Sequence, residues 1–270
     1  MKMFNPRTIY TVAKKEFLDN IRNKWVIFLT IIFVLIIILF SYVAGSSTLD
    51  GDTFGNMQLT VFGLVGATSF LIPLIAIILG FSTISGEDES GALYVVLSYP
   101  VRRIEVLLGK LLGLGSVFIV SIFIGFGIAG IIIALTVGPE SWIGYIAFIF
   151  ISILLGFIYL SLSICISAFC KKRITSIGGG ILVFFWSFIY QTILFAIIIF
   201  TGIGEDFLIG NSIVFDPAGL YQTIVQRAFG MGTSVANPEF LNTINLITFY
   251  MLWIIIPMFL AYFFFKKRDI

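Results

Sequence analysis

Six apolar stretches, each free of Lys, Arg, Asp and Glu, alternate along the chain with shorter polar connections. They run over 26–45, 59–83, 111–137, 142–169, 174–201 and 246–265. A helix rises about 1.5 Å per residue, so each stretch can cover the roughly 30 Å hydrocarbon core of a bilayer. The pattern predicts an all-α membrane protein with six transmembrane helices, and an even number of spans puts both termini on one side. Pro73 and Pro257 fall inside the second and sixth spans and are expected to kink them. Glycines recur as Gly63 and Gly66, Gly125 and Gly127, and Gly178 to Gly180, and suit close helix approach. The first stretch exceeds the apolar core of a signal peptide and five more follow, so it is read as retained. No internal repeat of the inverted kind is found.

Two segments depart from the spanning pattern. Before the first span the chain reads TIYTVAKKEFLDNIRNKW, over 8–25. At about 100° per residue, Ile9, Ala13, Phe17 and Ile21 share a face with Tyr10, and Lys15, Glu16, Asp19 and Arg22 lie opposite. This predicts an interfacial amphipathic helix, with Trp25 at its junction with the membrane. It is either a topology anchor or a lever that hands motion to the first span. Between spans two and three the sequence reads GFSTISGEDESGALYVVLSYPVRRIEVLLGK. Its apolar run, Gly91 to Leu97, is far shorter than the roughly 20 residues a span needs. Exposed, it would be a hydrophobic patch, and such patches mark interaction sites. It is a docking surface or a segment lying on the membrane.

Charge supplies the orientation. Of 16 Lys and Arg, all but Arg227 fall in the N-terminal segment, the second and fourth connections, or the C-terminal tail. The opposite connections carry Asp50, Asp52, Glu140, Glu205, Asp206, Asp216 and Glu239. Positive loops stay cytoplasmic, so both termini are expected in the cytoplasm, with the chain multi-pass in the cytoplasmic membrane. A composition of 59% hydrophobic and 11% charged residues fits this, since soluble domains carry about 25% charged residues.

The same inventory narrows the chemistry. The chain has no histidine, which removes the commonest metal ligand and general base. Cys165 and Cys170 are too few for a disulfide framework or a Cys-rich metal site and are read as small apolar residues. No span carries an ionisable acid or base, which argues against a proton relay, a voltage sensor or a hydrophilic channel. The most polar group at mid-span is Gln191, beside Trp186, Ser187 and Tyr190. It is either an interhelix hydrogen bond or, with Ser187 and Tyr190, part of a substrate path. Gly109-Lys110 lacks the nucleotide-loop pattern, because Ile104 stands where its first glycine would be and Leu111 follows the lysine. Any ATP must therefore be hydrolysed on another chain. The outer segment, 202–245, holds a predicted short helix from Pro217 to Phe229, with Asp216 as its cap and Gly230 and Gly232 as its stop. Read from its residues alone, the segment is a surface loop lying on the headgroups.

Taken together, AKKEFLDNIRNKW before the first span, GEDESGALYVVLSYPVRRIEVLLGK between spans two and three, and DPAGLYQ before the last span resemble the membrane subunits of ABC-2 type ABC transporters. The resemblance covers the whole chain and is nearest the permeases of multicopper-enzyme and nitrous-oxide-reductase maturation. It implies a coupling helix over 86–100 that docks on an ATPase subunit, with Glu87, Asp88, Glu89, Gly91, Leu93, Tyr94, Leu97, Pro100 and Arg102 as its residues, and Gly109 and Lys110 closing the pattern. Within it, Leu93, Tyr94 and Leu97 are expected to form the apolar contact face, with Glu87 and Glu89 meeting basic groups of the partner. The resemblance also implies a short re-entrant or interfacial helix in the outer segment as an outer gate, two ATPase subunits that carry Mg-ATP, a second permease subunit as homo- or heterodimer, no cofactor on this chain and no nucleic-acid partner.

The leading expectation is thus the non-catalytic permease subunit of an ATP-driven transporter, with export as the expected direction. An integral assembly factor or scaffold without transport is the alternative. A membrane enzyme is disfavoured, because the spans hold no catalytic carboxylate or nucleophile–base pair.

Overall fold

The computed structural model describes residues 5–46, 48–49, 52–53, 57–136, 142–201, 214–230 and 242–268. Six helices are long and apolar enough to cross a membrane. They are α2 (Lys24–Ser46), α3 (Met57–Gly80), α6 (Arg103–Thr136), α7 (Trp142–Phe169), α8 (Arg173–Thr201) and α10 (Thr243–Lys266). Four shorter helices complete the described chain: α1 (Pro6–Ile21), α4 (Ser85–Glu89), α5 (Ala92–Ser98) and α9 (Pro217–Ala228). Among the described residues the only extended structure is the pairing of Thr48–Leu49 with Asp52–Thr53. The protein is all-α. Asp50, Glu140, Glu205, Asp206 and Glu239 lie outside the described residues.

Helix α7 sits at the centre and packs on α3, α6, α8, α9 and α10. Its buried face includes Phe148, Leu155, Ile158, Tyr159 and Ile164. Helix α2 lies on α6 through Phe33, Ile37 and Ser41, at helical spacing, and leaves Ile31, Leu35 and Leu39 outward. Helices α3 and α10 continue through Pro73 and Pro257. Of the recurring glycines, Gly125, Gly179 and Gly180 meet Phe33, Ile166 and Ile77, while Gly66, Gly127 and Gly178 have nothing within 4 Å of a built Cβ.

Helix α1 starts on Asn5, whose side chain accepts from the Arg7 N–H at 3.0 Å, with Pro6 in the first turn. It packs mainly on α6, and two glycines let it approach. A Cβ on Gly109 would lie 2.6 Å from Val12 Cβ, and one on Gly113 would lie 2.7 Å from the Ala13 carbonyl. This contact rotates α1 away from the face expected from periodicity. Tyr10 and Ile21 are exposed, and Glu16, expected on the polar side, is buried. The physical reason is a cation on α6 that receives it.

Candidate functional site

The end of the bundle that carries α1, α4 and α5 also carries the basic residues, and is called the basic end here. The segment expected as one helix over 86–100 is two short helices. Gly91 separates them with φ +77°, a left-handed conformation that glycine adopts without strain. Tyr99 is extended and Pro100 follows, which ends α5. Across the bundle, Ser167 Oγ of α7 accepts the N–H groups of Ile84 and Ser85 at 3.0 Å each, so the start of α4 is capped from outside its own sequence.

Three consecutive acids then reach three different places. Glu87 Oε1 lies 2.8 Å from Lys110 Nζ on α6. The same ammonium lies 2.7 Å from Glu16 Oε1 on α1 and is only 2% exposed. One buried lysine therefore joins α1, α4 and α6. Glu87 Oε2 is buried without a hydrogen-bond partner. Asp88 accepts from Arg268 Nη1 at 2.8 Å. That guanidinium also donates to the carbonyls of Ser167, Ala168 and Cys170, capping the end of α7. Burial lowers the Arg268 pKa while Asp88 opposes the shift, and the guanidinium stays charged. Glu89 Oε2 accepts the Arg173 N–H at 2.9 Å, at the start of α8.

The sequence-based expectation that Glu87 and Glu89 point to a partner is thus corrected for Glu87, whose charge is taken up inside the chain. Glu89 is exposed but capped onto α8. The expected contact face of Leu93, Tyr94 and Leu97 changes too. Leu93 is 0% exposed in the core, and Leu97 is half-buried against it. Turning Leu93 inward stabilises the fold by about 1.5–3 kcal/mol, and it leaves Tyr94 (53% exposed), Val95 (62%) and Tyr99 (64%) as the outward apolar face. Pro100 is exposed beside it, and Arg102 is half-buried.

Several residues that hold this region were missed in the sequence. Glu105, buried in the first turn of α6, accepts from the Arg102 N–H at 3.1 Å, as a capping-box glutamate does, and from the Asn5 N–H at 2.8 Å. Arg103 donates to the carbonyls of Phe265, Lys266 and Arg268, at the end of α10. Gly109-Lys110 is where α1 meets α6. Gly109 admits α1, and Lys110 is the central cation.

A second cluster lies farther along α8, within the bundle. Gln191 is ten residues from the Thr201 end of α8, about 15 Å at 1.5 Å per residue. Its Nε2 donates to Asp216 Oδ2 at 2.7 Å. Asp216, assigned by sequence to the acidic outer face, is 1% exposed. Its other oxygen accepts the Ala218 N–H at 3.0 Å, so it caps α9 as expected. From there α9 runs away from the basic end until Phe229 packs on Gly144, near the start of α7, and Gly230 takes φ +67°. The short helix therefore runs from the level of Gln191 on α8 to the Trp142 end of α7. Tyr221 on it is fully buried and bonds Thr68 at 2.7 Å and Ser152 at 3.0 Å.

A cavity of about 120 Å³ adjoins this cluster. Gln191, Ser187, Tyr159, Gln222 and Ser69 give it polar groups, and Phe184 and Phe188 give it aromatic ones. Ser187 bonds Tyr159 at 3.0 Å. Tyr190 lies outside the lining and stacks on Trp186 at 5.4 Å. Of the three path candidates, the structure brings Gln191 and Ser187 together and leaves Tyr190 apart. No group of three or more potential metal ligands occurs among the described residues.

The sequence profile of the ABC-2 family transporter proteins matches residues 10–270. The chain belongs to the ABC-2 family. A protein of Stutzerimonas stutzeri named "Probable ABC transporter permease protein NosY" is 28% identical over 277 residues, covering 96% of this chain and 98% of its own length. A protein of the same name from Pseudomonas aeruginosa is 31% identical over 227 residues, covering 82% of each chain. These relatives agree with the subgroup expected from the sequence. This ABC-2 protein is accordingly a multi-pass membrane subunit of an ABC transporter. As a family permease, it presents two structural features of interest: a tied-down surface at its basic end and a polar cluster around Gln191 within the bundle.

Proposed function

We propose that this permease subunit moves its substrate out of the cell across the cytoplasmic membrane, driven by Mg-ATP hydrolysis on a separate ATPase chain that docks on α5. The basic end faces the cytoplasm, as the charge distribution supports. The assembly contains two ATPase subunits and two permease subunits, as the family resemblance implies.

The observation that carries this reading is the pairing of an outward face with inward anchors. Tyr94, Val95 and Tyr99 present apolar surface on a short helix. The acids just before it are tied to α1, α6, α8 and the C-terminal tail. A push on α5 has rigid routes into several membrane helices at once. Through Glu87, Lys110 and Glu16 it reaches the interfacial helix, which supports the lever role over a simple anchor. The cavity at Gln191 and Ser187 is the substrate path, and Asp216 holds α9 against it.

The test is substrate movement by the reconstituted complex. Wild type transports on addition of Mg-ATP, and the permease chain alone hydrolyses none. A Tyr94→Asp, Val95→Asp variant inserts normally but loses the ATPase subunits. A variant that keeps its ATPase and transports normally would sink the proposal, and a complex that hydrolyses ATP yet moves nothing would favour the scaffold alternative.

A further inference from the structure

Where α7 and α10 end, a cleft of about 430 Å³ opens beside α5. Phe169 and Phe264 form an aromatic wall, edge to face with centroids 5.0 Å apart, and Tyr94 adds a third ring. Lys171 and Lys267 line the same cleft. Both are exposed, and among the described residues neither has an ion-pair partner. Lys267 Nζ rests over the Phe263 ring, 4.3 Å from its centroid, a cation–π contact rather than a pairing with an acid. The one carboxylate in the lining, Asp88, is already paired with Arg268. The cleft therefore offers two cations without a carboxylate partner, Lys171 and Lys267, beside the exposed Phe169 ring and the half-buried Phe264 ring, at the level where two membrane spans finish.

We propose that this cleft binds the headgroup of an anionic phospholipid. The phosphate sits between Lys171 and Lys267, and the upper acyl chain lies against Phe169 and Phe264. Basic pockets between spanning helices at the membrane surface recognise such headgroups, and rings at the ends of spans pack against the headgroup region. A free phosphate would use the lysines but not the exposed Phe169 ring. An acidic segment of a protein partner would have to enter at the depth of the span ends. The inference goes beyond the ATPase reading; the cleft shares Tyr94 with the proposed ATPase face, while Lys171, Lys267, Phe169 and Phe264 lie outside that face.

The purified chain, stripped of lipid, is titrated with phosphatidylglycerol and phosphatidylcholine of identical acyl chains, and bound lipid is counted by native mass spectrometry. Phosphatidylglycerol should be retained in preference. Each lysine is worth about fivefold, so Lys171→Gln with Lys267→Gln should lower that preference by up to about thirtyfold. Lys171→Arg with Lys267→Arg should keep it, which separates lost charge from lost fold. Lys15→Gln with Lys24→Gln removes the same charge elsewhere and should also leave it intact. Equal retention of the two lipids, or equal loss in both Gln pairs, would overturn the proposal. So would displacement of phosphatidylglycerol by inorganic phosphate at matched concentration. Weakened ATPase attachment in the Lys171→Gln, Lys267→Gln variant, with phosphatidylglycerol retention unchanged, would assign the lysines to the protein partner instead.

Discussion

Replacing Lys110 by Met keeps most of the side-chain volume and removes the cation between two carboxylates. Glu16 and Glu87 have side chains only 11% and 20% exposed, and both approach the ammonium within 2.8 Å. Breaking a buried pair by deleting one partner costs about 3–5 kcal/mol, because the remaining charge is stranded. Here two remain, though Glu87 has partial access to water. At about 2–4 °C per kcal/mol, the unfolding temperature should fall by roughly 6–20 °C. The half-buried thiols of Cys165 and Cys170 allow unfolding in detergent to be followed with a thiol-reactive dye. Adding Glu16→Gln and Glu87→Gln to Lys110→Met should recover about half the loss or more, since neutral amides tolerate the site better than stranded carboxylates. In the assembled transporter, the single variant should hydrolyse ATP while moving less substrate per ATP. A single variant that unfolds within about 2 °C of wild type, the size of an ordinary surface change, would refute the buried triad.

Gln191→Leu deprives Asp216 of a 2.7 Å hydrogen bond inside the bundle. The cost should be about 1–3 kcal/mol, and substrate-stimulated ATPase activity should change more than yield does; a change in yield alone would leave Gln191 as a structural bond. Gly113→Leu drives carbon into the Ala13 backbone and Glu16, where even a Cβ would sit within 2.7 Å. It should destabilise by about 1–3 kcal/mol and loosen α1, which protease access near Arg7 would register; unchanged protection would place α1 elsewhere. A thiol probe at Ile143, at one end of α7, should react with an impermeant reagent from outside, and one at Lys171, at the other end, should not; the reverse pattern would invert the topology.

The six spans were legible because a membrane imposes one strong rule, continuous apolar sequence about 20 residues long. The start of α9 was legible for a local reason: Asp216-Pro217 is a cap followed by a first-turn proline. What sequence could not supply was pairing across distance. Lys110 and Glu16 are separated by 94 positions, and nothing local distinguishes Glu16 from the other charges of α1. Periodicity alone put Glu16 on the polar side, and the buried cation reversed it. Leu93 and Tyr94 are neighbours in a short apolar run, and only the packing against the bundle decides which one turns inward. Sequence places Asp216 with the outer acids because it falls in a connection between spans. The packing of α9 against the bundle carries it to Gln191, the polar residue that α8 offers there.

The most direct test of the coupling account is photocrosslinking from single positions on α5. A cysteine is placed at Val95 or at Leu93 in a Cys165→Ser, Cys170→Ser background, and a benzophenone maleimide is attached. The outward face at Val95 should crosslink to the ATPase subunit in the assembled complex, and more strongly when nucleotide is present. The inward position at Leu93 should give crosslinks only within the permease. Crosslinks from Val95 to lipid alone, with the ATPase reached from Leu93 or not at all, would contradict the account.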